Sequence, residues 1–345
     1  MKDIAQLVRP NIAALQPYST ARDEYKGELG ILLDANENPY DNGMNRYPST
    51  ALKEQLRCLV ADIKGVAPQQ LFLGNGSDEA IDLCYRVFCE PGRDNAVIMA
   101  PSYGMYSVCA DINDVGRRMV PLEPETFALP VDRLLAAADS NTKLMFICSP
   151  NNPTGNAFET SEIERLAAGF DGILVVDEAY IDFCSKPGVL PLLEKYPNLI
   201  VLQTLSKAWG MAGLRIGLAM ASSYIISIFK QVKYPYNIGT DTISLALESI
   251  SRDIAPQVAE IVAERDRLAA ELLNAGCVKK IYPSDANFLL IQVSDPRGVY
   301  NALLEQGVIV RDRSRVTLCE GCLRITVGTP AENVKLEKCI YSYES

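Results

Sequence analysis

Residues 144–180 read LMFICSPNNPTGNAFETSEIERLAAGFDGILVVDEAY. An apolar run of strand length, LMFICS, leads into PNNPTGNAF, a loop bounded by proline and glycine. The helical stretch SEIERLAAGF and a second apolar run, GILVVD, complete the segment. Strand, loop, helix and strand in this order predict two parallel strands joined by a crossover helix. Neither run alternates with polar residues, so both faces of each strand are expected to be covered, as in a parallel sheet between helices.

The same unit repeats in both directions. Upstream, ALKEQLRCLVADIKG carries Leu52, Leu56 and Leu59 at helical spacing, and LFLGNGSDEAIDLCYRVFCEPG is a strand, a glycine turn and a helix. NAVIMA, RRMVPLE and the helix VDRLLAAAD follow. Downstream come LIVLQT, the segment LSKAWGMAGLRIG at residues 205–217, and IGLAM. Repetition predicts a mostly parallel sheet whose end loops, at 74–78, 101–103, 149–155, 177–180 and 204–207, converge on one edge. SSYIISIFKQVKYPYNIGT closes this layer, and TISLALESI with QVAEIVAERDRLAAELLNAG bridges to a second unit. That unit reads KIYPSDANFLLIQV as one strand, GVYNALLEQG as a helix, VIVRDRS and CLRITVG as strands, and a last helix from near Ala331. The expected organisation is an arm and part of a small domain at 1–30, a large domain at 31–240, and a bridging helix with a small domain at 241–345.

Composition narrows the chemistry. With 33 Lys and Arg against 43 Asp and Glu, the formal charge of −10 argues against a nucleic-acid groove, although one basic pocket can persist in an acidic chain. No apolar run reaches membrane-spanning length and the start is not signal-like, so a cytoplasmic protein without a membrane partner is expected. The chain has no histidine, which removes histidine triads and the common metal motifs. Ten cysteines are scattered through apolar runs, and the close pair Cys319 and Cys322 lacks a second ligand pair, so no metal is expected.

Candidate site residues sit where the units end. Lys207 follows LIVLQT and stands beside Thr204 and Ser206, with Arg215 eight residues later. A lysine at a strand end can condense with an aldehyde, while hydroxyls and a guanidinium can hold a phosphate. Pyridoxal 5'-phosphate is the smallest cofactor that asks for both. Asp177 ends a four-residue apolar run, either capping the chain that follows or pairing with a buried cation; the cation could be the cofactor's protonated ring nitrogen. Gly76, Ser77 and Asp78 open a helix as a phosphate seat or as a structural turn, with Ser77 as the cap. Asn152 and Tyr180 could reach the ring's phenolic oxygen, and Tyr103 its face. Tyr18, Tyr47, Arg311 and Arg324 are further candidates; edge-strand charge is the alternative for the arginines and a surface turn for Tyr47.

PNNPTG, VVDEAY and LSKAWGMAGLRIG, in this order, resemble the fold-type-I pyridoxal-phosphate-dependent aminotransferases over essentially the whole chain. The resemblance implies an α/β fold: a large domain with a mostly parallel seven-stranded sheet between helices, plus a smaller α/β domain. It also implies a homodimer with sites at the subunit interface. NENPY, NRYPS, GNGSDEAI, YPYN, VIVRDR and LRITVG are most similar to the histidinol-phosphate aminotransferase family. That family moves an amino group between L-histidinol phosphate and 2-oxoglutarate, giving imidazole-acetol phosphate and L-glutamate in histidine biosynthesis. Position by position, Lys207, Asp177, Asn152, Tyr180, Arg215, Thr204 and Ser206 match the cofactor shell, with Lys207, Asp177 and Tyr180 in catalytic roles. Tyr47 resembles the tyrosine that reaches the partner subunit's cofactor phosphate. Tyr18, Arg311 and Arg324 resemble the residues that hold the substrate's phosphate or carboxylate, and Asn152 is counted with them. Ser77 stands where relatives often have alanine, and Arg313 and Arg315 rival Arg311. Threonine-phosphate decarboxylases and broad aromatic aminotransferases share the fold and remain alternatives.

Overall fold

The computed structural model describes residues 3–18, 21–24 and 30–343. Among them the strands form a seven-stranded and a four-stranded sheet. The larger contains β1 (Leu71–Asn75), β2 (Asn95–Ala100), β3 (Gly116–Pro121), β4 (Thr142–Cys148), β5 (Ile173–Asp177), β6 (Leu199–Thr204) and β7 (Ile216–Ala221). Their order is β1-β7-β6-β5-β4-β2-β3. β7 runs antiparallel to β1 and β6, and the remaining neighbours are parallel. The reversal has a local cause. Residues 205–215 contain one short 3₁₀ turn and no crossover helix, so the chain folds straight back beside β6. Both ends of LSKAWGMAGLRIG therefore lie at the edge where β5 ends.

Helices cover both faces. Two short ones, α1 (Pro10–Ala13) and α2 (Ala21–Glu24), precede α3 (Thr50–Lys64), α4 (Ser77–Phe88), α5 (Met105–Ile112), α6 (Val131–Ala136), α7 (Thr160–Gly169), α8 (Ser223–Val232) and α9 (Thr240–Ser249). Side chains alternate along each strand. Met145 and Ile147 of β4 join the core under α3, α6, α7 and α9, while Leu144, Phe146 and Cys148 join the opposite core under α4, α5 and α8. Ile4, Leu7 and Val8 bury in that second core, so this stretch of the expected arm packs on the large sheet.

The smaller sheet has the order β10-β11-β9-β8, all antiparallel: β8 (Val278–Ile281), β9 (Phe288–Val293), β10 (Arg311–Asp312) and β11 (Cys322–Thr326). α10 (Ala255–Leu272), α11 (Pro296–Glu305) and α12 (Pro330–Ser342) pack against it. KIYPSDANFLLIQV is two strands rather than one. Ser284 makes the turn, its hydroxyl donating to the Phe288 carbonyl (2.6 Å) and accepting from the Ala286 N–H (3.1 Å). Cys319 and Cys322 are buried, and burial pushes their thiols up to about 12 and about 11. No described helix is long and apolar enough to cross a membrane.

Candidate active site

The carboxyl ends of β4, β5 and β6, the start of β7 and the first turn of α4 enclose a cleft of about 360 Å³. Arg311, Arg313 and Arg324 of the small sheet and its flanking turn form the opposite wall. Five cationic side chains (Lys207, Arg215 and these three) face two carboxylates, Asp78 and Asp177. In a chain of net charge −10, such a hollow selects anionic ligands.

One end is an anion seat. α4 starts from Gly76 as N-cap, with φ 73°, so Ser77 is the first helical residue and not the cap expected from sequence. A side chain at Gly76 would strike the Arg215 guanidinium, and one at Gly217 would strike the Gly76–Ser77 peptide. Glycine at both positions lets β7 and its guanidinium approach the helix start. The Gly76 N–H donates to the Arg215 carbonyl (2.7 Å), and Arg215 itself adopts φ 57°. Its guanidinium donates to Ser206 Oγ (3.4 Å) and lies 3.9 Å from Asp78. Thr204 Oγ1 accepts the Ser206 N–H (3.1 Å), fixing the turn into Lys207. The N–H groups of the first helical turn, the helix dipole, the Ser206 hydroxyl and a guanidinium are groups that could hold a phosphate, while the Thr204 hydroxyl donates to the Ile216 carbonyl (3.2 Å).

The floor is Asp177, buried at the end of β5. Its Oδ1 accepts the Ala179 N–H (3.0 Å) and its Oδ2 the Tyr106 hydroxyl (2.7 Å). Burial raises its pKa, against the two hydrogen bonds and the charge of Lys207. Tyr103 stands above, its ring edge-on to Tyr106 at 5.6 Å and its hydroxyl donating to Asp78 Oδ1 (3.1 Å). Lys207 Nζ enters the open cleft 5.6 Å from the centre of the Tyr180 ring. Desolvation lowers its pKa, helped by Arg324 and Arg215 and opposed by Asp177. A lysine in that setting spends more time as the free amine, the nucleophilic form.

At the far end, Arg324 of β11 donates to Asn152 Oδ1 and lies 5.3 Å over the Phe288 ring. Arg311 of β10 is its register partner. Arg313 follows, its pKa lowered by burial and by Arg311. The Nε atoms of Arg313 and Arg324 are buried without a hydrogen-bond partner among the described residues. Unpartnered buried donors mark a place for a ligand that brings acceptors.

A protein-family model of class I and II aminotransferases matches residues 31–337. A histidinol-phosphate aminotransferase of Bacteroides thetaiotaomicron is 50% identical over 347 aligned residues, covering 100% of each chain. That of Parabacteroides distasonis is 51% identical over 97% of each. The chain belongs to the histidinol-phosphate aminotransferase family. The solved histidinol-phosphate aminotransferase of Sinorhizobium meliloti, in complex with pyridoxal-5'-phosphate, superposes with a TM-score of 0.78 at 21% identity, covering 86% of this chain and 83% of that one. At that identity the likeness shows the fold.

Within this family member, the cleft gathers Ser77, Asp78, Tyr103, Asn152, Asp177, Tyr180, Thr204, Ser206, Lys207, Arg215, Arg311 and Arg324, with Gly76 behind the first of them. Two expected residues stand elsewhere. Tyr47 is half exposed and stacks on Tyr236, ring centres 4.1 Å apart, away from the cleft of its own chain. Tyr18 is 78% exposed and borders a separate hollow beside Lys53 and Lys230, so its own chain does not bring it to the substrate end. Arg313 shares the wall with Arg311, whereas Arg315 does not line it. Cys148, Ala179 and Tyr106 were not legible in the sequence. Tyr106 follows Tyr103 by three residues, but nothing local indicates that its hydroxyl meets a carboxylate 71 positions away.

Proposed function

We infer that the protein is a pyridoxal-phosphate-dependent histidinol-phosphate aminotransferase. It transfers an amino group between L-histidinol phosphate and 2-oxoglutarate, giving imidazole-acetol phosphate and L-glutamate in histidine biosynthesis. The observation that carries this reading is the convergence, in one basic cleft, of the Lys207 amine, the buried Asp177 carboxylate and the anion seat of α4. The donor set fits the cofactor: a side chain at Gly76 would fill the cradle, and the amine stands between seat and floor. Full-length relatives at about half identity support the named substrate over the decarboxylase and broad-range alternatives.

When bound, pyridoxal phosphate supplies an electron sink for the carbon that loses a proton. The chain's residues do the rest. Ser77, Thr204, Ser206, Arg215 and the first N–H groups of α4 would hold the phosphate. Asp177 would present a negative charge to the ring nitrogen, Asn152 and Tyr180 would hydrogen-bond the ring's oxygen, and Tyr103 would cover its face. Lys207 holds the cofactor at rest, and its Nζ moves the substrate's alpha proton. Arg324, with Arg311 or Arg313, binds the phosphate of one substrate and the carboxylate of the other, since a guanidinium fork suits both.

The same reading makes the working unit a homodimer in which Tyr47 and Tyr18 reach the partner's cleft. Ile31, Leu33, Tyr40, Met44 and Tyr234 stand exposed on or near the segment that bears Tyr47, an apolar surface that calls for cover. On this reading a large domain at 31–240 and a small one at 241–345 flank the cleft, with α9, at the start of the second stretch, still packed in the core of the large sheet. A cytoplasmic location fits ten cysteines that are all free. Stopped-flow measurement of each half-reaction, with carbon dioxide release followed in parallel, tests the assignment. Amino transfer from histidinol phosphate without carbon dioxide is expected, and Arg324→Lys should slow both half-reactions. Preference for dephosphorylated histidinol, or decarboxylation of threonine phosphate, would overturn the substrate.

A further inference from the structure

Asp177 carries the charge at the cleft floor, yet its Oδ2 is met by a side chain from a different layer of the molecule. Tyr106 lies in the first turn of α5 and is wholly buried. Its ring is stacked on Phe146 at 4.9 Å and 17°, and Phe146 is stacked in turn on Tyr85 at 5.3 Å. Tyr103 closes the remaining side edge-on, and the Tyr85 hydroxyl donates to the Tyr106 carbonyl (2.8 Å). A ring held on these sides keeps its hydroxyl on Asp177 Oδ2 at 2.7 Å, with the Cys148 thiol as its other side-chain neighbour.

A phenol is a neutral donor. Burial and the Asp177 charge hold its own proton on well above the ordinary tyrosine range, so it donates across the working pH range without cancelling the carboxylate's charge. An arginine or lysine in its place would neutralise that charge. We propose that Tyr106 is the positioning residue that fixes the Asp177 carboxylate and supports its negative charge, so that the proton shared with the cofactor stays on the ring nitrogen. The proposal rests on Asp177 being the ring-nitrogen partner. Without the hydroxyl, Oδ2 would keep its burial but lose its donor, and a buried carboxylate with fewer donors binds a proton more tightly. The proton would then shift from ring nitrogen to carboxylate, weakening the electron sink.

The test is Tyr106→Phe, which keeps the ring stack and deletes the hydroxyl. In the apoenzyme, carbon-13 NMR of labelled aspartate should show the Asp177 midpoint rising by about one unit, the tenfold effect of one hydrogen bond to a buried charge. Among the described residues, the other titratable groups facing Asp177 are Asp78 of α4, Cys148 of β4, Tyr103, Glu178, Tyr180 and Lys207, all unchanged in the variant. In the holoenzyme, the nitrogen-15 shift of the labelled ring should move toward that of an unprotonated pyridine. A lower melting temperature with both signals unmoved would make Tyr106 a packing residue and overturn the proposal. In an Asp177→Asn background the Phe substitution should leave the ring shift where Asp177→Asn alone puts it. If Asp177→Asn itself leaves the ring shift unmoved, the failure lies with the reading of Asp177 and removes both. Should Tyr106→Phe not fold, 3-fluorotyrosine at position 106, a more acidic donor of nearly the same size, should move the Asp177 midpoint the other way; no movement would overturn the proposal.

Discussion

At the cleft floor, Asp177 and Tyr106 are buried with both carboxylate oxygens hydrogen-bonded, and the residues around them come from β4, β5 and α5 of one chain. The segment bearing Tyr47 is also hydrogen-bonded, but it faces outward. Glu37 accepts from Arg22, from Arg46 (2.8 Å) and from the Tyr47 N–H (2.6 Å), while Arg22 donates to the Tyr47 carbonyl (3.1 Å). Both peptide groups of Tyr47 are thus clamped, and its ring has Tyr236 on one side. An ordered backbone under exposed apolar side chains is a surface prepared for contact, whereas the floor is finished within the chain. On the proposed function, the difference would separate residues that act in their own subunit from those that act on a neighbour.

The largest effect that could break this division is at Lys207. Lys207→Ala should fold normally and lose at least about a thousandfold in turnover, in the range of a lost acid-base group. Borohydride reduction followed by peptide mapping should label residue 207 in the unaltered protein; a label elsewhere would remove Lys207 from its role. Asp177→Asn keeps the shape and deletes the charge, and kcat should fall by about a hundredfold or more with KM changing far less. Near-normal turnover at saturating cofactor would show that the floor's charge is dispensable.

Gly217→Ala sharpens the comparison by attacking the geometry of the anion seat beside the floor without touching a functional group. Its Cβ would overlap the Gly76–Ser77 peptide, so the variant should lose about 1–3 kcal/mol by denaturant titration and bind pyridoxal phosphate more weakly. Unaltered cofactor affinity would mean that the start of α4 is not the phosphate seat. For the outward segment, an inactive Tyr47 variant mixed with Lys207→Ala should recover about a quarter of full activity, since half the dimers are hybrids with one unmutated site. No recovery despite proven subunit exchange would return Tyr47 to its own chain.

The smallest effect belongs to the clamp. Burial alone would raise the Glu37 pKa, but hydrogen bonds from Arg46, the Tyr47 N–H and Arg22 bring it down to about 2. A depressed carboxylate stabilises the fold above its ordinary value of about 4.5 and loses that contribution as pH falls toward 2. Glu37→Gln should therefore narrow the stability difference between pH 6 and pH 3 and slow turnover only a few-fold. An unchanged acid profile would show that the clamp holds by shape and not by charge.

The primary sequence determined the crossover units, because strand runs without polar alternation must be covered on both faces. It also determined that Lys207, Asp177, Asn152 and Arg215 stand at strand ends, since the loops that follow each run are short and bounded by glycine or proline. Other features needed the assembled chain. β7 turns antiparallel because residues 205–215 hold no crossover helix, and residues 280–293 split into a hairpin around Ser284, neither of which an apolar pattern distinguishes from one long run. Arg324 meets Asn152 across 172 positions, and Tyr106 meets Asp177 across 71. Periodicity reports which face of an element is buried, but it carries no information about which distant side chain waits there. That pairing is decided only when the sheet order brings β5 beside β4 and α5 down onto both.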